Sequence, residues 1–134
     1  MNSNDALQGK RVLIVDDNAM NIFALECALT SVADVEVTSV QSGQEALEHL
    51  SNPNLEFDFV LMDMMMPVMN GYETTQKIRE AEAHTDSGVT IIAVTARAMQ
   101  EDRDKCLAAG VSDYIRKPVN LSDLLAAMVR HCQN

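Results

Sequence analysis

An α/β fold, with five strands alternating with five helices in a doubly wound parallel sheet, is predicted by two features of this 134-residue sequence. Short apolar, β-branched runs recur along the chain, each followed by a stretch of helical periodicity. Four of those runs end abruptly in polar residues: Asp16-Asp17, Asp63, Thr95 and Lys117-Pro118. Right-handed crossover helices join parallel neighbours and cover both faces of the sheet, so the alternation implies a two-sided parallel sheet.

Each element has its own signal. Arg11 to Val15 reads as a buried strand that delivers Asp16 and Asp17 to its C-terminal edge. A helix is expected from Asn18 to Thr30. Its apolar residues Met20, Ile22, Phe23, Leu25 and Leu29 cover more than the one stripe a core contact needs, so part of it is expected to meet a partner. Val35, Val37 and Val40, with polar residues between, predict a second strand near Asp34 to Ser39, and Ser42-Gly-Gln-Glu45 has the capping-box spacing of a helix start. That helix ends before Pro53. Phe57 to Met62 is the third predicted strand, and Asn70-Gly71 opens a third helix reaching Glu82, with Glu73 and Lys77 as a supporting pair. A loop over 84–88 leads to a fourth strand, Val89 to Val94. A helix from Met99 to Ala109, closed by Gly110, precedes a fifth strand, Val111 to Ile115. Asn120 caps the last helix, whose core face is Leu121, Leu124, Leu125, Met128 and Val129.

The length allows one domain with a real core, expected over residues 10–132, after a flexible lead-in at 1–9 and with no separate output domain. Apolar residues at 47% and charged residues at 22% are a globular balance. A net charge of −10 repels phosphates and anionic lipid, which argues against direct nucleic-acid binding and against membrane association. The apolar runs Val12 to Val15, Phe57 to Met62 and Val89 to Ala93 fall well short of the ~20 residues of a membrane span, and the first ten residues lack the pattern of a secretion signal. A soluble, cytoplasmic protein is expected. Cys27, Cys106 and Cys132 form no Cys-x-x-Cys pair and are odd in number, so they read as reduced and structural.

In parallel sheets of this type, sites form beyond the C-terminal strand ends. Taken singly, Asp17 is a helix cap, Asp63 a turn residue before Pro67, Thr95 a strand-end hydroxyl and Lys117 a solvated charge. Taken together, they put three carboxylates opposite one ammonium. Carboxylates that close raise one another's pKa unless a cation intervenes. All-oxygen donors favour a hard divalent ion, and Mg²⁺ uses one or two carboxylates together with a phosphate. Such a site would let an anionic Asp63 attack phosphorus and become an acyl phosphate.

Val-Asp16-Asp17-Asn, Met-Asp63-Met-Met-Met-Pro67-Val-Met-Asn-Gly71, Val-Thr95-Ala-Arg-Ala and Lys117-Pro118 resemble, in order and interval, the receiver-domain family of two-component signalling, over about residues 10–132. The resemblance implies the flavodoxin-like receiver fold with sheet order 2-1-3-4-5, an order that general accounts of this fold already illustrate with a chemotaxis receiver. It implies that Asp63 is the phosphoacceptor. It also implies that Asp17, Asp63 and the backbone carbonyl of Met65 ligate Mg²⁺, with Asp16 helping through water. Lys117 would pair with Asp63 or its phosphate, Thr95 would bond a phosphoryl oxygen, and Tyr114 would be the switch aromatic. The Lys117-Pro118 bond is often cis in relatives, and the sequence itself permits either isomer.

The function so implied is that of a phosphorelay receiver rather than an enzyme, with self-catalysed phosphotransfer and autodephosphorylation at most. The donor is expected to be a histidine kinase or a histidine phosphotransfer protein docking near the first helix, and a downstream protein would read the switched surface. Asp16 to Asn21 and Asp102 to Gly110 look most like receivers of hybrid histidine kinases. Met65 and Arg97 flank the site; Met65 cannot orient an attacking water and Arg97 could cover the phosphoryl group, so slow hydrolysis of the acyl phosphate is expected. Arg97, Arg103, Lys105 and Arg116 read either as an output face or as solvated charges.

Other readings are weaker. Cu(I) binding by Met62, Met64, Met65, Met66 and Met69 is opposed by strand alternation, which sends those side chains in different directions. A flavin site is opposed by Asp16-Asp17, which would repel its phosphate. A Mg²⁺-dependent aspartyl-phosphate phosphatase would place an acid/base aspartate where Met65 stands. An unphosphorylated interaction module of the same fold stays open.

Overall fold

The computed structural model describes residues 6–82, 88–96 and 99–132. Its elements are β1 (Arg11–Val15), α1 (Ala19–Val32), β2 (Glu36–Val40), α2 (Gly43–Ser51), β3 (Phe59–Asp63), α3 (Gly71–Glu82), β4 (Thr90–Thr95), α4 (Gln100–Ala109), β5 (Asp113–Arg116) and α5 (Leu121–Cys132). The five strands pair in parallel in the order β2-β1-β3-β4-β5. This is the doubly wound receiver fold.

Strand alternation divides the core in two. Leu13, Val15, Val60, Met62, Ile91 and Ala93 face α2, α3 and α4, where they meet Ala46, Tyr72, Ile78 and Cys106. Val12, Ile14, Phe59, Leu61, Ile92 and Val94 face α1 and α5, where they meet Ile22, Leu29, Leu124 and Met128. The three inner strands are buried on both faces, which is why they read as nearly continuous apolar runs. Leu7 is fully buried in the second cluster, and the Gly9 amide donates to the Asp34 carbonyl at 2.7 Å. The expected lead-in over 1–9 is therefore shorter at its inner end, because an apolar side chain there fills the foot of the core.

Several boundaries differ from the sequence expectation for local reasons. β3 begins at Phe59, although the Asp58 amide still donates to the Arg11 carbonyl at 2.8 Å while its carboxylate accepts the Arg11 amide at 2.9 Å. β5 begins at Asp113, because Gly110, at φ 113°, closes α4 and the Val111 amide bonds back to the Cys106 carbonyl at 3.3 Å. β2 starts two residues late, at Glu36, and α1 runs on to Val32. Asn18, not Asp17, caps α1, its Oδ1 accepting the Met20 and Asn21 amides at 2.9 and 3.1 Å. Ser42, Asn70 and Asn120 cap α2, α3 and α5 as expected, each accepting the amide three residues on. Among the described residues the ion pair on α3 is Arg79 with Glu82, not Glu73 with Lys77. Cys27 is exposed and only Cys106 is fully buried, so Cys27 is no core filler. Arg97 and most of the 84–88 loop lie outside the described residues. Among the described residues no helix is long and apolar enough to cross a membrane.

Candidate functional site: an acidic cluster at the sheet edge

β1 and β3 are adjacent and end at the same level, with Val15 opposite Met62, so Asp16 and Asp63 leave neighbouring strands side by side. Carboxylate oxygens of Asp16, Asp17 and Asp63 lie within 4.8 Å of one another. Asp16 and Asp63 are buried, at 7% and 4% exposure, while Asp17 is open to solvent. Asp16 is fixed locally by the Asn18 amide, which donates to its Oδ1 at 2.9 Å. Asp63 Oδ1 accepts the Met65 amide at 3.0 Å and faces Lys117 Nζ at 3.5 Å, so both contacts with described residues fall on one oxygen.

Burial pushes the Asp63 carboxyl above its ordinary value. The Met65 amide and the Lys117 ammonium pull it down and the Asp16 charge pushes it further up, leaving it raised. The donor set is all oxygen, two of its three carboxylates are desolvated, and Lys117 stands at ion-pair distance from one of them. That excess of negative charge fits a hard divalent cation.

The remaining predicted residues surround this cluster. Thr95 ends β4 with 1% exposure, one position beyond Val94, the register partner of Asp63. The Lys117 amide donates to the Thr95 carbonyl at 2.8 Å, which ties the β5–α5 connection to the end of β4, and the Lys117-Pro118 bond is cis. Tyr114 pairs with Ala93 in the β4–β5 ladder and so shares a sheet face with Thr95, two residues along. Half-buried, it packs against the α4 side of the core. Met65 is 52% exposed beside the cluster. Met62 and Met64 are fully buried and Met66 nearly so, all three in one core cluster filled by apolar side chains, while Met65 stands apart at the surface.

Two positions matter more than sequence reasoning indicated. A Cβ on Gly71 would lie 2.5 Å from the Asp63 carbonyl oxygen and 2.6 Å from Met64 Cα, so only glycine lets α3 start against the backbone of Asp63. A cavity of about 300 Å³ opens beside Asp16 and Lys117, lined by Asn21, Leu25, Val94 and Pro118 between α1 and the β5–α5 connection. Next to it, Met20 and Phe23 stand out from α1 at 75% and 67% exposure.

Residues 12–129 match the response regulator receiver domain, and the chain belongs to that family. It is 41% identical over 114 residues to hybrid signal transduction histidine kinase I of Dictyostelium discoideum, covering 83% of this chain and 6% of that protein. It is 36% identical over 121 residues to the sensor protein GacS of Pseudomonas syringae pv. syringae, covering 90% of this chain and 13% of that one. Among such curated relatives it spans between 6% and 14% of their length. Among solved structures it resembles the receiver domain of yeast (Saccharomyces cerevisiae) Ssk1, co-crystallised with the histidine phosphotransfer protein Ypd1. There the identity is 32%, the TM-score 0.80, and the coverage 91% and 88% of the two chains. It also resembles the receiver domain of a Pseudomonas aeruginosa sensor histidine kinase with a magnesium ion coordinated in its active site cleft. In that case identity is 37%, the TM-score 0.79, and coverage 94% and 99%.

Proposed function

We propose that this receiver domain, residues 10–132, accepts a phosphoryl group from a phosphohistidine onto Asp63 in a Mg²⁺-dependent reaction and relays the event through Thr95 and Tyr114 to a protein-interaction surface. The observation that carries the reading is the convergence of Asp16, Asp17 and Asp63 oxygens within 4.8 Å, beside the Lys117 ammonium.

Asp17, Asp63 and the Met65 carbonyl would hold the ion, with Asp16 acting through water. When bound, Mg²⁺ supplies positive charge against the carboxylates and the incoming phosphoryl oxygens. Asp63 Oδ2, the oxygen not engaged by the Met65 amide, attacks phosphorus. The P–N bond breaks, its electron pair returns to the ring nitrogen, and the donor ring, protonated at its other nitrogen, leaves as neutral imidazole. Lys117 then turns from Asp63 to the phosphoryl charge, and the Thr95 hydroxyl donates to a phosphoryl oxygen. Movement of Thr95 draws Tyr114 inward and alters the surface of α4, β5 and α5.

A histidine kinase or a histidine phosphotransfer protein is the donor this surface suits. Exposed Met20 and Phe23 and the cavity beside Asp16 offer apolar anchorage next to the reacting carboxylate. The net charge of −10 favours protein partners over nucleic acid or membrane, in a cytoplasmic setting. The role is that of a signalling phosphoacceptor with self-catalysed transfer and hydrolysis, not of an enzyme with turnover on a separate substrate.

Intact mass after incubation with acetyl phosphate and Mg²⁺, and with a phosphorylated histidine donor, tests the reading. A gain of about 80 Da, the mass of HPO₃, is expected, and it should vanish in Asp63→Asn and with EDTA. No gain with either donor would leave an unphosphorylated interaction module.

A further inference from the structure

Helix α4 follows Thr95 in the chain and is held unevenly. At its C-terminal end the Gly110 carbonyl accepts Arg79 Nε at 2.8 Å. At its start the cap residue Met99 makes no side-chain hydrogen bond and is 75% exposed, and along its length only Cys106 and Ala109 are buried. Two cationic side chains hold the helix to its neighbours. Lys105 Nζ sits 4.4 Å from the centroid of the Tyr72 ring on α3, and Arg103 Cζ sits 5.2 Å from the centroid of the Tyr114 ring on β5. These two residues are thus more than solvated charges.

We propose that Arg103 is a positioning residue of the switch: stacked on Tyr114, it holds the ring and α4 in the resting arrangement and sets how readily phosphorylation displaces them. This assignment rests on the phosphoacceptor reading above. The Arg103 contact is made with Tyr114 where it lies in this structure, and a ring drawn toward Thr95 leaves the guanidinium. A contact made in only one of two states shifts their balance by its own free energy. Arg103 therefore opposes the phosphorylated arrangement. Lys105 makes the same kind of contact from the same helix, but to a ring of the α3 core, so it serves as the internal control.

Beryllofluoride with Mg²⁺ stands in for the phosphoryl group, its affinity read by calorimetry. The chain has two tyrosines and no tryptophan, so in a Tyr72→Phe background tyrosine fluorescence reports Tyr114 alone. Arg103→Ala is expected to bind the analogue about two- to five-fold more tightly, the size of a half-exposed cation–aromatic contact, and to change acrylamide quenching of Tyr114 before any analogue is added. Arg103→Lys should fall between alanine and wild type. In a Tyr114→Leu background the gain should disappear, and Lys105→Ala should not reproduce it. An unchanged or weaker affinity in Arg103→Ala, an equal gain without the Tyr114 ring, or an equal gain from Lys105→Ala would overturn the assignment. If the wild type takes neither a phosphoryl group nor the analogue, the phosphoacceptor reading itself fails and this one with it.

Discussion

Lys117 Nζ stands 3.5 Å from Asp63 Oδ1, within ion-pair range but beyond the short distances of a strong charge-assisted hydrogen bond. The buried carboxylate is therefore incompletely compensated, which is why burial outweighs its hydrogen bond from the Met65 amide and its attraction to Lys117, and its pKa is raised. A raised native pKa means that, between the ordinary value of 3.8 and the native one, the folded state binds more protons than the unfolded, so stability falls as pH rises through that window.

Asp63→Asn, which removes the charge and keeps the shape, is accordingly expected to be more stable than wild type at neutral pH without divalent ions. The gain should be roughly 1–3 kcal/mol, the range for relieving an uncompensated buried polar group. Urea unfolding checks it, and the difference should shrink as pH is lowered toward 3.8. An asparagine variant less stable than wild type at neutral pH would show that Lys117 already neutralises the site.

Met65 places an exposed thioether beside Asp63, where a polar side chain could orient a water for attack on phosphorus. The acyl phosphate should therefore be long-lived, and Met65→Asn should shorten its lifetime about ten-fold, less than the ~10²–10⁴ of a positioned general acid or base because an amide only orients the water. Loss of the phosphoryl mass after removal of donor measures this. A wild-type lifetime of seconds, unchanged by the substitution, counts against it.

Arg79 gathers three chain segments at the other end of the sheet. Its guanidinium donates to the Gly110 and Val89 carbonyls, both at 2.8 Å, to Ser112 Oγ at 3.2 Å and to Glu82 Oε1 at 2.6 Å. Arg79→Lys keeps the charge but cannot fill that planar fork, so it should cost about 2–4 kcal/mol, nearly as much as alanine, with the carbonyls left short of donors. Thermal unfolding of both variants, with amide exchange at Ile91 and Val111, is the check. A near-neutral lysine variant would show that the charge alone suffices.

Gly71→Ala sets two effects against each other. Alanine favours a helix over glycine by about 0.5–1 kcal/mol, but the added Cβ would meet the Asp63 carbonyl at 2.5 Å and Met64 Cα at 2.6 Å, both backbone. Overpacking of that kind costs about 1–3 kcal/mol, so the net effect is destabilising. Moving the Asp63 backbone should also slow phosphorylation. A variant that unfolds like wild type in urea and gains the phosphoryl mass at the same rate would contradict the clash.

Element type was legible in the sequence because burial on both sheet faces writes itself as short apolar runs, and caps such as Ser42, Asn70 and Asn120 write themselves as local spacings. The three carboxylates and Lys117 were legible as a group because a parallel sheet carries every strand's C-terminal end to one edge. Strand ends were less so: Val111 looks like a strand residue until a left-handed Gly110 turns it aside. Arg79 gave no local signal, since its partners lie up to 33 residues away. The burial of Leu7 and the stacking of Arg103 on Tyr114 were hidden for the same reason. Each depends on which elements become neighbours, not on any periodicity within one.

The missing side chain of Gly71 has a mechanical consequence. On that flank α3 abuts the main chain of Asp63 with no slack, whereas on the other flank α4 begins at Met99 without a side-chain hydrogen bond at its cap. Compliance around the acidic edge is thus lopsided. On the phosphoacceptor reading proposed above, a displacement started at Asp63 would meet a stiff wall toward α3 and yield toward α4 and β5, so packing would set the route of the signal before any partner arrives.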